Sequence, residues 1–109
     1  IPSTRSARVA VVIDDAGYNI EELRPFLELS YPLTIAVLPQ LRYSREAAQL
    51  AAEAEKEVLL HQPMEPRSAQ DPGPGAITVD LGGEEIARLL ARNLSTVPGP
   101  RVRLPPPPT

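Results

Sequence analysis

Three short apolar runs, separated by segments of helical spacing, set the pattern of this chain. Arg8-Val9-Ala10-Val11-Val12-Ile13-Asp14-Asp15-Ala16-Gly17 strings together β-branched and small apolar residues and closes on two adjacent acids. Pro32-Leu33-Thr34-Ile35-Ala36-Val37-Leu38-Pro39 is a second run bracketed by prolines, and Glu57-Val58-Leu59-Leu60-His61 is a third. Residues that are apolar at successive rather than alternate positions fit strands covered on both faces, as in parallel α/β sheets. Between the first two runs, Asn19 followed by Glu22 has the pattern of a capping box. It predicts a helix to about Leu29, in which Pro25 demands a kink or a fresh start at the first helical position. Ser44 is placed to cap a helix from Arg45 to about Lys56, whose Ala47, Leu50, Ala51 and Ala54 give a flat face suited to lying on a sheet. A last helix is expected from about Glu84 to Thr96, with Ile86, Leu89, Leu90 and Leu94 inward.

This order predicts a right-handed βαβαβ unit with parallel strands. Sheets of that kind place ligands at the carboxyl ends of their strands. Asp14, Asp15 and His61 would all lie there. Two neighbouring acids repel unless a cation or a shared proton relieves them, and carboxylates beside an imidazole suit a divalent metal. Taken singly, an Asp-Asp pair at a strand end is also ordinary turn chemistry, and a lone histidine there is also a structural residue; it is their meeting at one sheet edge that points to a site. From Gln62 to about Thr78 runs an irregular loop carrying Pro63, Pro66, Pro72, Gly73, Pro74 and Gly75. Loops of that length inside a compact domain are functional or disordered.

Composition narrows the function classes. The 109 residues allow one small domain or a piece of a larger one, and 42% hydrophobic residues can build a core, of Val, Ile, Leu and Ala, since there is one Phe and no Trp. A net charge of −3 with no basic cluster argues against a nucleic-acid surface. There is no cysteine, hence no disulfide and no thiolate metal ligand. No stretch approaches the ~20 apolar residues of a membrane span. No P-loop or Gly-rich dinucleotide turn supports phosphate chemistry in an otherwise unrelated α/β binding domain. Proline is the outlier: 14 residues, four of them Pro105 to Pro108, where a polyproline II segment is expected.

The runs occur in register with further short motifs. Val12-Ile13-Asp14-Asp15-Ala16-Gly17-Tyr18-Asn19, Pro32 to Pro39, Ser44-Arg45-Glu46, Glu57-Val58-Leu59-Leu60-His61-Gln62-Pro63-Met64-Glu65-Pro66 and Asp71-Pro72-Gly73-Pro74-Gly75 follow one another. Together they resemble the divergent polysaccharide deacetylase family of bacteria, over about Arg8 to Pro98. That resemblance implies a partial distorted (β/α) barrel of the polysaccharide deacetylase type, with parallel strands and flanking helices. It divides the chain into an N-terminal extension (1–7), the partial domain (8–98) and a Pro-rich tail (99–109) expected to be disordered. It also implies metal-dependent removal of N-acetyl groups from cell-envelope carbohydrate, with zinc the expected metal and a periplasmic or envelope location. Asp14 matches the catalytic base, and Asp15 and His61 match metal ligands. No substrate-binding residue, general acid or oligomeric state follows from it.

One departure alters the expectation. Family members carry a second metal-binding histidine in an Asn-Asn-His-type motif beyond the third helix, whereas this chain reads Val97-Pro98-Gly99-Pro100-Arg101-Val102-Arg103-Leu104 and has one histidine in all. The chain is therefore expected to be a truncated or frame-shifted product without turnover. A non-catalytic carbohydrate-binding or accessory protein of the same fold is the alternative.

Overall fold

A computed structural model describes residues 7–99. The expected extension and Pro-rich tail fall, but for Ala7 and Gly99, outside the described residues, as does the polyproline segment. The elements alternate: β1 (Val12–Ala16), α1 (Arg24–Leu27), β2 (Thr34–Val37), α2 (Ser44–Glu53), β3 (Glu57–Leu60) and α3 (Gly83–Thr96). The three strands form one sheet in the order β1-β2-β3, and both pairings are parallel.

β2 lies at the centre, and its Ile35, Ala36 and Val37 are buried. Ile35 and Val37 project to one face, as alternation requires. There they join Ile20, Leu23, Ala47, Ala48, Ala51, Val58 and Val97 in a single core cluster. α2 packs over β2 and β3. Its three buried alanines let helix and sheet approach closely, as the small-residue face predicts.

Burial of the first strand departs from expectation. β1 is an edge strand, with Val12 51% exposed, and Val9 upstream is 85% exposed. Two-sided cover is therefore a property of β2 and not of the whole sheet. Pairing also starts late, at Val12 rather than near Arg8. Thr34 N–H donates to Val11 C=O at 3.0 Å. Two residues upstream of Thr34 stands Pro32, which has no N–H to continue the ladder.

The first helix is short because Pro25 makes the fresh start: Asn19 Oδ1 accepts from Glu22 N–H at 2.9 Å, and α1 proper begins at Arg24 with the proline in its first turn. Ser44 is not the cap of α2 but its first residue. Its hydroxyl instead accepts from Leu41 N–H at 2.9 Å and donates to Leu38 C=O at 2.5 Å, tying the helix start to the end of β2.

The helix α3 keeps the expected stripe, but Ile86, Leu89, Leu90 and Leu94 are only half-buried. Its buried residue is Asn93. Polar ties dock its C-terminal half: Arg45 Nη2 donates to Ser95 C=O at 2.6 Å, and Gln40 N–H to Thr96 Oγ1 at 3.0 Å. The long loop is ordered by a parallel bridge between Met64 and Ile77.

Candidate functional site

The strand β1 does not run straight into its turn. Ile13 pairs with Ile35 and Ala16 with Val37, so Asp14 and Asp15 together oppose the single residue Ala36. This is a β-bulge, and Asp15 occupies it with φ +58°. Asp is among the few non-glycine residues that tolerate the left-handed region. A bulge re-aims the side chain it carries. Here the Asp15 carboxylate reaches past the end of β2 to the residue after β3.

That residue is His61. Its N–H continues the ladder to Val37 C=O at 2.8 Å, which holds its backbone against the sheet. Its Nδ1 lies 3.1 Å from Asp15 Oδ1. The contact lacks hydrogen-bond alignment: Nδ1 is shut off from solvent and has no bonded partner. An unpaired buried nitrogen facing a carboxylate oxygen is a costly arrangement that ordinarily has a purpose. Two donors on one metal at about 2.0–2.2 Å stand roughly 3–3.5 Å apart, so the separation fits a pair of ligands to a shared cation. Asp15 is 61% exposed and the His61 side chain as a whole 36%, although its Nδ1 is enclosed.

The donor types fit a borderline divalent ion, but the set is short. Among the described residues, no group of three His, Cys, Asp or Glu side chains converges closely enough to hold a metal. Asp14 thus stands beside the Asp15–His61 pair without joining it as a third ligand. It is exposed, and it lines a cleft of about 130 Å³ with Asp15, Tyr18, Asn19, Glu22 and Phe26. Ligand pockets usually enclose about 300–1,000 Å³, so this cleft is small for one. Gly17 (φ +127°) lets the turn pass under it: a Cβ there would stand 3.3 Å from both Leu41 Cδ1 and Ser44 Oγ.

The structure places Asp14, Asp15 and His61 at one edge of the sheet, as the sequence led one to expect, and adds surroundings that the sequence reading missed. Asn93, Gln62 and Gln40 form a network of side-chain amides beside His61, with Asn93 fully buried. The available signal was an asparagine on the apolar stripe of α3, between Leu90 and Leu94. The bulge had no such signal, because Asp-Asp-Ala-Gly reads equally well as a regular strand end.

Residues 11–102 match the family model of the divergent polysaccharide deacetylases. The chain is similar to the uncharacterized protein YibQ of Escherichia coli (strain K12), 32% identical over 93 residues that cover 85% of this chain and 29% of that protein. It is also similar to an uncharacterized protein of Haemophilus influenzae, 27% identical over 84 residues covering 77% of this chain and 30% of the other. The chain therefore spans about three tenths of the length of these relatives.

Proposed function

This chain belongs to the divergent polysaccharide deacetylase family, and from that premise we propose that it carries the base and part of the metal site of an N-acetyl hydrolase acting on cell-envelope carbohydrate. The observation that carries the reading is the Asp15–His61 pair, 3.1 Å apart at the carboxyl ends of parallel strands, with the imidazole Nδ1 otherwise unpartnered. Asp15 and His61 would hold the metal, and zinc suits an oxygen and nitrogen donor set of this kind. A bound metal would supply an acidified water and polarisation of the acetamide carbonyl. Asp14, exposed next to the pair, would take the proton from the attacking water. The in-line order of parallel strands and the bare β1 edge support the first segment of a distorted (β/α) barrel, with the partial domain over residues 8–98. The family relation supports an N-acetylated polysaccharide as ligand and a periplasmic or envelope location.

A second reading, a carbohydrate-binding or accessory protein without turnover, is favoured by the two-ligand set and the small cleft. Each missing ligand removes affinity and the geometry that leaves one coordination position open. For the 109-residue chain we expect weak zinc binding in equilibrium dialysis, lost in Asp15→Ala and in His61→Ala, and no acetate release from N-acetylglucosamine oligomers. Acetate release that requires both residues would establish catalysis in this chain. Zinc binding unaltered by either substitution would refute the metal site.

A further inference from the structure

The loops that follow β2 and β3 leave the carboxyl edge of the sheet, and both meet on one residue of α3. Asn93 Oδ1 accepts from Gln40 Nε2 at 2.7 Å, just beyond β2. Asn93 Nδ2 donates to Gln62 Oε1 at 2.7 Å, just beyond β3, and to Gly75 C=O at 2.9 Å in the long loop. Both donor hydrogens of the amide are thereby used. The other end of Gln62 is held as well, its Nε2 donating at 2.8 Å to Pro63 C=O and at 2.8 Å to Gly75 C=O. Gly75 is required at its place: its φ is +77°, and a Cβ would lie 2.6 Å from Asn93 Oδ1. Even the helix side is braced, since Thr96 Oγ1 accepts from Gln40 N–H and donates to Asn93 C=O at 2.8 Å.

Stability alone does not call for this arrangement. A leucine at position 93 would extend the stripe of Ile86, Leu89 and Leu90, and a buried polar network is rarely more stabilising than apolar packing of equal volume. What amides add is direction. The residue that the direction serves is the one before Gln62. His61 is fixed on its N-terminal side by the ladder bond to Val37. The Gln62 clamp fixes it on the C-terminal side.

We infer that Asn93 is a positioning residue: through Gln62 it sets where the His61 imidazole stands relative to the Asp15 carboxylate. The consequence for metal binding rests on the function proposed above, whereas the positioning itself does not. Residues that orient a metal ligand from behind typically change metal affinity roughly 10–100-fold when removed.

The chain has one histidine, so the ring-proton NMR signals of His61 are assignable without ambiguity in the full 109-residue protein. The variants are Asn93→Leu, which fills the volume, and Gln62→Met, which leaves Asn93 in place and decides the matter should Asn93→Leu not fold. In the metal-free state we expect both to shift or broaden the His61 ring signals while the Val37 and Val58 methyl signals stay put. On titration with Mn²⁺, the concentration that broadens the His61 ring signals should rise roughly tenfold or more. Unmoved ring signals in a folded variant would overturn the inference and leave the network a structural brace. Absence of Mn²⁺ broadening in the unsubstituted chain would count against the metal site alone, with the metal-free ring signals still deciding the positioning role.

Discussion

At the scale of the residue, Asp15 combines two demands. Its backbone must enter the left-handed region so that the bulge can turn the carboxylate toward His61, and its side chain must be an acid. These demands are separable. Asparagine tolerates the same backbone and lacks the charge. Asp15→Asn is therefore expected to keep the melting temperature while losing zinc binding. Asp15→Val brings a β-branched side chain into the same conformation and is expected to cost about 1–2 kcal/mol in urea unfolding. Equal stability for the two variants would mean that the bulge is not maintained in solution. The acid itself was legible in the sequence. Its backbone conformation was not, because Asp occupies extended and left-handed regions alike and only the pairing with β2 decides between them.

The elements show the same division between pattern and context. α2 was legible from its alanine spacing, and its end illustrates why boundaries are harder. Glu55, with φ +62°, follows the last turn; its N–H bonds Ala52 C=O at 3.0 Å, and Lys56 N–H bonds Ala51 C=O at 2.9 Å. These two bonds make a Schellman cap, a place that usually holds glycine. Replacing the exposed Glu55 by glycine is expected to stabilise the chain by about 0.5–1 kcal/mol, read as a rise in melting temperature. A fall would show that the glutamate side chain has a role its exposure does not reveal. Just past this cap, Lys56 Nζ donates to Leu29 C=O at 2.5 Å and Tyr31 C=O at 2.7 Å, bridging to the chain after α1. For α3, helical spacing identified the face and could not weigh its burial. The apolar members of that face stay half-exposed, while the polar member, Asn93, is the one fully enclosed.

For the molecule as a whole, the core centres on β2 and thins toward β1. Ile35→Ala, at a fully buried position, is expected to cost about 2–5 kcal/mol. Val12→Ala, half-exposed on the edge strand, should stay within about 0.5 kcal/mol. Comparable losses for the two would place the stabilising core elsewhere. The α/β class, the number and parallel sense of the strands, and the placing of Asp14, Asp15 and His61 at one edge of the sheet were determined by the sequence alone. Apolar runs alternating with helical spacing leave few topologies, and such topologies bring strand ends to one edge. The tertiary structure alone decided which strand is covered, that Asp15 bulges toward His61 while Asp14 stays beside the pair, and that Asn93 gathers the loops after β2 and β3. Each of these depends on partners far along the chain, such as Ala36 for Asp15 and Gln40, Gln62 and Gly75 for Asn93. Local propensity describes what a residue tolerates; only the contacts closed over tens of residues select among the tolerated states.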